Sequence, residues 1–355
     1  MLNSSNVFFE GHVAGLPYVH GGALATALFR SKANDFIVNE QLSFSPSGEG
    51  EHAFITLKKT GLNTDSVAQT LAKFSAVKRR DVAYAGMKDR HAITTQTFSV
   101  YLPGIKDPDW SLLEDSTLKV MNVARHRKKL KKGAISANEF TITLRQCPVD
   151  REQLRQKVEK VSLMGVPNYF MEQRFGFSGH NLKQAFDIFS QHESFKSKRV
   201  KGLLLSAVRS FLFNNVLAQR VAAGTWNTAM EGDAFVLNGT RQFFVEEFID
   251  EEIRQRIIEH DIHPSGPLFG IGSSAVFAAV KNIETSVFKE NNVFCEGLIR
   301  ENVDFSRRSL RVVPENLQLE MRDKETTQLS FKLPSGSYAT AVLREIFDTK
   351  TDREL

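Results

Sequence analysis

The stretch Ala85-Gly86-Met87-Lys88-Asp89-Arg90-His91 sets one carboxylate between two cations, in a polar run flanked by short apolar segments. Adjacent cations favour the charged form of a carboxyl group, so Lys88 and Arg90 would keep Asp89 ionised at neutral pH. An ionised carboxylate on a loop held between strands can act as a nucleophile or a general base. The bland alternative is a turn aspartate that caps backbone amides and pairs with Lys88 or Arg90 for well under ~1 kcal/mol. Local composition alone favours the bland alternative.

Three further segments place an aromatic ring near a polar group at a strand end: Phe36 with Glu40, Asn138 with Phe140, and Tyr338 in Pro334-Ser335-Gly336-Ser337-Tyr338-Ala339-Thr340. Unpaired bases are held by stacking on aromatics and by hydrogen bonds to their edges. Taken singly, Phe36 and Phe140 are more simply core residues.

Other chemistries lack their usual supports. There is no His-Glu-x-x-His helix, no Cys-x-x-Cys pair and no phosphate-binding Gly-x-x-x-x-Gly-Lys-Ser/Thr loop. Gly270-Ile271-Gly272-Ser273-Ser274-Ala275 mimics a dinucleotide fingerprint, but it follows His263-Pro264-Ser265-Gly266-Pro267, which reads as turn where a strand is required. His260 and His263, without a third ligand nearby, read as surface histidines and not as a metal site.

The elements that must position these groups follow from patterning. Asp35 to Glu40 and Ala53 to Leu57 alternate as strands around the turn-rich Ser45 to Gly50. Val67, Ala68, Leu71, Ala72 and Phe74 fall at helical spacing behind an Asn63 or Thr64 cap, giving a helix to about Val77. Asp81 to Ala85, Thr97 to Leu102 and Asn138 to Leu144 read as strands, so Met87 to Thr95 connects two of them. A capping box at Asp150 and Gln153 starts a helix that Gly165-Val166-Pro167 stops. Beyond it the chain is mainly helical to about Ile299, and strand patterning returns at Ser309 to Val313 and Leu329 to Leu333. The order β-rich, α-rich, β-rich is most economically an insertion, with both ends meeting in one sheet.

At 355 residues, 41% hydrophobic and 25% charged, the chain is too long for one comfortable core, and its 28 Phe exclude a disordered or low-complexity chain. The longest apolar run, Gly202 to Ala218, is broken by Arg209 and Asn214-Asn215, short of the roughly 20 residues of a membrane span. Met1 to Asn6 lacks the pattern of a secretory signal, and two cysteines, Cys147 and Cys295, suit a reducing compartment. A soluble cytoplasmic protein is the expectation. Net charge is +5, with a pI of about 9.1. The excess is concentrated in Arg125-His126-Arg127-Lys128-Lys129-Leu130-Lys131-Lys132, Lys78 to Arg80 and Lys196 to Lys201, which points to a polyanionic partner.

Taken together these segments resemble the TruD family of tRNA pseudouridine synthases. Ala85 to Ala92 looks like that family's A-G-x-K-D-[KR]-H-A signature. Further landmarks stand in the family's order: Gly48-Glu49-Gly50-Glu51-His52, Lys59 to Thr64, Leu71-Ala72-Lys73-Phe74, and the Arg-His-x-x-Lys-Leu block ending in Gly133. Gly165 to Phe170, Gln173-Arg174-Phe175-Gly176 and Leu333 to Thr340 with Leu343-Arg344-Glu345 complete the set.

The resemblance implies an α+β pseudouridine synthase core with a mixed, largely antiparallel sheet, formed by residues 1–164 and 313–355, and an inserted helix-rich α/β TRUD domain at 165–312. It implies an isomerase acting on uridine 13 of tRNA, with no cofactor, no metal and no membrane. Asp89 would be catalytic, Phe36, Asn138 and Tyr338 substrate contacts, and Phe140 would line the uracil pocket. Lys32, Glu40, Lys88 and Arg90 are candidate supporting charges. Arg125, Arg127, Lys128, Lys129, Lys131 and Lys132 are assigned to the RNA backbone, with Lys196 to Lys201 secondary. Arg90 stands where many members have Lys, and Tyr338 where Phe is common, so its hydroxyl requires a partner. The alternatives are a non-catalytic tRNA-folding chaperone and an N-glycosidase that would release uracil.

Overall fold

The computed structural model describes Phe9 and residues 11–351; Met1 to Asn6 lie outside the described residues. In chain order the first elements are β1 (Ala25–Phe29), β2 (Phe36–Leu42), β3 (His52–Thr60), α1 (Thr64–Phe74), β4 (Val82–Tyr84), β5 (Ile93–Tyr101), β6 (Leu118–His126), β7 (Ile135–Arg145) and α2 (Arg151–Met164). A middle stretch follows: β8 (Val166–Pro167), α3 (Glu172–Phe175), α4 (His180–Ser190), α5 (Lys198–Ala222), β9 (Ala234–Leu237), β10 (Phe243–Val245), α6 (Glu251–Ile258) and β11 (Ile262–Leu268). Then come α7 (Ala278–Glu290), α8 (Asn292–Arg300), β12 (Ser306–Ser309), β13 (Arg311–Val312), β14 (Glu315–Met321), β15 (Thr327–Pro334), α9 (Ala339–Leu343) and β16 (Phe347–Lys350). They sort into two compact units, one of Ala23–Ser162, Pro314–Gly336 and Ile346–Leu355, the other of Met1–Gly22, Leu163–Val313 and Ser337–Glu345.

The first unit is built on one ten-stranded sheet in the order β14-β15-β7-β2-β5-β3-β6, with β1 pairing β7 and β16, and β4 pairing β5. Pairing is parallel for β2 with β5 and for β1 with β16, and antiparallel elsewhere, which gives the mixed, largely antiparallel α+β sheet. Alternation fixes the faces: in β15, Thr327, Leu329, Phe331 and Leu333 are buried and the residues between them are not. Strands from both ends of the chain supply this sheet. The Asn63 side chain caps α1 by accepting from the Asp65 N–H at 3.0 Å. Val67, Ala68, Leu71 and Ala72 of α1 pack with Ile55, Leu57, Phe98 and Val100 of the sheet, each large side chain contributing roughly 1.5–3 kcal/mol on burial. That packing fixes the start of α1, which matters for the site.

In the second unit α5 is the central helix, capped by Ser197 Oγ, which accepts from the Val200 N–H at 3.3 Å. Leu204, Ala207, Phe211 and Leu212 of α5 join Leu182, Phe189, Phe294 and Leu298 in its core. By length and composition α5 is apolar enough to cross a membrane, contrary to the expectation that no segment is; 56% of its apolar window is buried inside this unit. The middle stretch is also less exclusively helical than its pattern suggests, since β10-β9-β11-β12 form an antiparallel sheet. His263 to Pro267 lies within β11, where turn was expected. Pro264 and Pro267 disguise a strand whose neighbours, β9 and β12, both run antiparallel to it; a dinucleotide fold needs a parallel strand at that point. His263 is 5% exposed and its Nδ1 accepts from Arg311 Nε at 3.1 Å, so it is not a surface histidine.

The segment expected as an insertion, 165–312, falls in this second unit, which also takes in residues 11–22 and Ser337–Glu345. Two buried residues tie those segments together. Glu345 Oε2 accepts from the Val19 and His20 N–H groups, each at 3.1 Å. Arg344 donates to the Leu16 carbonyl at 2.6 Å and lies 4.0 Å from the centre of the Tyr18 ring.

Candidate active site

Asp89 sits on the loop between β4 and β5, and that loop is pinned at successive backbone positions. Thr64, the first residue of α1, accepts from the Lys88 N–H at 3.0 Å and donates to Gln96 Oε1 at 3.1 Å. Gln96 Nε2 in turn donates to the Gly86 carbonyl at 2.6 Å. Lys59 of β3, fully buried, donates to the Leu62 carbonyl at 2.7 Å and to the Asp89 carbonyl at 3.3 Å. With its backbone fixed, Asp89 presents a side chain that is 28% exposed, paired through Oδ2 with Arg30 at 2.8 Å. Oδ1 accepts from the His91 N–H at 2.8 Å, an aspartate turn contact.

The cation at Asp89 is therefore Arg30, and the expectation that Lys88 and Arg90 serve it is corrected. Arg90 is exposed, and Lys88 turns the other way. Lys32, offered as a supporting charge, is also exposed; its backbone N–H donates to Asp35 Oδ2 at 3.0 Å, and Asp35 is held by Arg145. Arg30, two residues earlier, has a φ of 62°, a left-handed conformation that turns the chain just after β1. Its guanidinium lies 4.2 Å from the centre of the Phe36 ring and 4.6 Å from that of Phe29, a stacking that holds it in place and adds about 0.5–2 kcal/mol.

Beside this pair lies a second, more deeply buried group. The β2–β7 register sets Glu40 opposite Asn138. Lys88 Nζ approaches Glu40 Oε2 at 3.2 Å, the two side chains being 8% and 0% exposed, and it also donates to Asn138 Oδ1. Burial lowers the Lys88 pKa and raises that of Glu40, and the attraction between them opposes both shifts. Glu40 Oε1 accepts from the Thr97 N–H at 3.3 Å. Phe36 and Phe140 are 5% and 7% exposed, with nearly parallel rings 6.1 Å apart. Phe331 stands 5.6 Å beyond Phe140.

The remaining sequence-selected residues lie elsewhere. Tyr338 belongs to the helix-rich unit. Its hydroxyl accepts from Arg174 Nε at 3.0 Å, the partner its phenol requires, and Arg174 also donates to Ser206 Oγ at 3.0 Å. In the sheet unit the basic loop between β6 and β7 is anchored by Leu130, buried against Phe54 and Ala85, and by Gly133 N–H donating to the Ala85 carbonyl at 3.4 Å. This ties the loop to the residue that opens the Asp89 segment. Arg125, assigned to the RNA backbone, makes internal contacts, to Asp107 at 3.0 Å and to the carbonyls of Ile105, Leu102 and Gly50. Arg127 pairs with Glu49, and Lys129 Nζ donates to the Arg80 carbonyl at 2.7 Å. Lys128, Lys131 and Lys132 are exposed.

Sequence reasoning missed Arg30 and Lys59. An Arg after an apolar strand carries no local signal of a partner far along the chain, and a Lys-Lys pair ending a strand reads as solvated. Burial lowers the Lys59 pKa to about 8 from the ordinary 10.5, an effect Asp89 opposes and Lys88 reinforces. Between those values the unfolded chain holds the proton more often than the folded one, so this group's contribution to stability rises with pH across the window. Denaturation of wild type and Lys59→Met at about pH 7 and about pH 10 is expected to shift the stability difference toward wild type at the higher pH; a difference that does not move contradicts the lowered pKa.

Comparison with known proteins bears on this arrangement. A family model described as tRNA pseudouridine synthase D (TruD) matches residues 16–185 and 178–346. The tRNA pseudouridine synthase D of Methylococcus capsulatus is 43% identical over 333 residues, 94% of each chain, and that of Nitrosococcus oceani is 43% identical over 337 residues, again 94% of each. A crystal structure described as a tRNA pseudouridine synthase D from Methanosarcina mazei shares the fold, with a TM-score of 0.72 at 22% identity over 98% of this chain and 99% of the other. Matched over nearly its whole length, the chain belongs to the tRNA pseudouridine synthase D (TruD) family.

Proposed function

We propose that this protein is a tRNA pseudouridine synthase that isomerises uridine 13 of tRNA, with Asp89 as the catalytic carboxylate. The observation that carries the reading is the Arg30–Asp89 pair on a loop whose backbone is fixed by Lys59, Thr64 and Gln96. The reaction breaks the N1–C1′ bond and makes a C5–C1′ bond; a proton leaves C5 and one is taken up at N1, so nothing is oxidised or reduced. Asp89 starts it by attacking the nucleotide or by removing the ribose 2′ proton, and both routes need a carboxylate whose position does not drift. Arg30 balances its charge until substrate arrives. Phe36, Phe140 and Asn138 are the proposed pocket for the base, and Tyr338 a proposed contact to the RNA from the helix-rich unit.

The nucleotide must be extruded from folded RNA at a cost of a few kcal/mol, offset by phosphate contacts. Lys128, Lys131 and Lys132 are the proposed contacts on the sheet unit. On the helix-rich unit the basic start of α5 supports the same partner: Lys198 and Arg199 crowd the positive end of a helix dipole with no acid in the first turn, an arrangement that a polyanion relieves. A cytoplasmic location agrees with two buried free cysteines, Cys147 and Cys295.

The direct test uses tRNA tritiated at uracil C5. Wild type is expected to release tritium to water without releasing free uracil, and Asp89→Asn to release none; free uracil means a glycosidase, and no tritium from wild type means a binder without chemistry. For the RNA contacts, replacing Lys128, Lys131 and Lys132 by Gln is expected to reduce the slope of log affinity against log salt by up to about 3, with turnover at saturating tRNA retained. An unchanged slope removes the loop from the interface.

A further inference from the structure

We infer that Lys88, held by Glu40, makes Asn138 a donor-only contact and thereby a selector for uracil over cytosine, an inference that rests on the uridine chemistry proposed at Asp89. Lys88 Nζ faces Asn138 Oδ1. An ammonium carries hydrogens and no lone pair, so the amide atom it meets must be the oxygen. One flip state is thereby locked. Asn138 is half-buried, and among the described residues no protein group accepts from its Nδ2. Two N–H donors are what the residue has left to offer a ligand.

Glu40 supplies the other half of the device. It lies opposite Asn138 across the β2–β7 pair, and its fully buried carboxylate is 3.2 Å from the Lys88 ammonium. Burial works to strip the Lys88 proton, and Glu40 works to retain it. A neutral amine would have a lone pair and would let the amide turn over.

A donor-only group suits uracil for a reason specific to this isomerisation. Uracil has carbonyls at C2 and C4, related by an approximate twofold axis through N3 and C6. Rotation about that axis brings C5 to the place of N1 and exchanges the two carbonyls. A fixed N–H donor therefore meets an acceptor before and after the rotation. Cytosine carries an amino group at C4, so with the Asn138 donor against the C4 edge of the bound nucleotide, as the inference places it, cytosine sets donor against donor already before the rotation, and a site built to satisfy one pattern rejects the other strongly.

The test compares dissociation constants for tRNA carrying uridine or cytidine at the target position. It uses the Asp89→Asn protein, so that binding is read without turnover. Uridine is expected to be preferred by about tenfold. Adding Lys88→Met is expected to bring the ratio near one, as is adding Lys88→Met with Glu40→Gln, which leaves no unpaired buried charge; circular dichroism verifies that each variant folds. Asn138→Asp, which offers acceptors only, should take the ratio to one or below. A purely structural role for Lys88 would weaken both RNAs alike and keep the ratio, and that result, or a ratio near one in the Asp89→Asn protein itself, overturns the inference. Tritium release by wild type tests the underlying chemistry separately.

Discussion

The ion pair between Arg30 and Asp89 joins two segments far apart in the chain, and the site has its shape because of it. A carboxylate on a surface loop would be mobile and worth little to chemistry. Here both partners are mostly withdrawn from water, at 19% and 28% side-chain exposure, so their attraction is stronger than that of an exposed pair and less screened by salt. Arg30 is itself immobilised by the Phe29 and Phe36 rings. The cation therefore defines where the carboxylate can be.

Beneath this pair lies an unusual density of buried charge. Lys59 fastens the backbone of Asp89, while Lys88 and Glu40 face each other beneath Asn138. Each such group carries a desolvation penalty, and apolar residues of the same volume would often be as stable. What the charges provide is position: Lys59 ends on the Asp89 carbonyl, Lys88 on the Asn138 amide and Glu40 on the Thr97 N–H. The sheet tolerates them because β2, β5 and β7 supply a hydrogen-bonded floor, as the Thr97 N–H does for Glu40.

Much of this was legible in the sequence where the physics is local. Alternation in β15, the Asn63 cap with its apolar stripe in α1, and the polar loop around Asp89 between two strands each follow from patterns a few residues long. Membership of the family was legible because motifs recur in order along the chain. What escaped depends on contacts distant in sequence. Arg30 and Lys59 have no local mark, and Lys88 looked like a partner of its neighbour when loop geometry sends it to Glu40. The carbonyl partners of Arg125 cannot be seen in a string of letters. Prolines hid β11, since its place between β9 and β12 is set by tertiary packing. The grouping of Ser337–Glu345 with residues 11–22 rests on Arg344 and Glu345 finding backbone groups near the other end of the chain.

If Arg30 orients a carboxylate that does the chemistry, its removal must slow the reaction and not merely the capture of RNA. The single-turnover rate on saturating tRNA, measured for Arg30→Met and Arg30→Lys beside wild type, separates the two. Expected are a loss of about a hundredfold for the methionine variant, substantial recovery with lysine, and tRNA affinities within a few-fold of one another. A methionine variant that turns over at the wild-type rate, or that loses only affinity, would contradict the central role given to the pair.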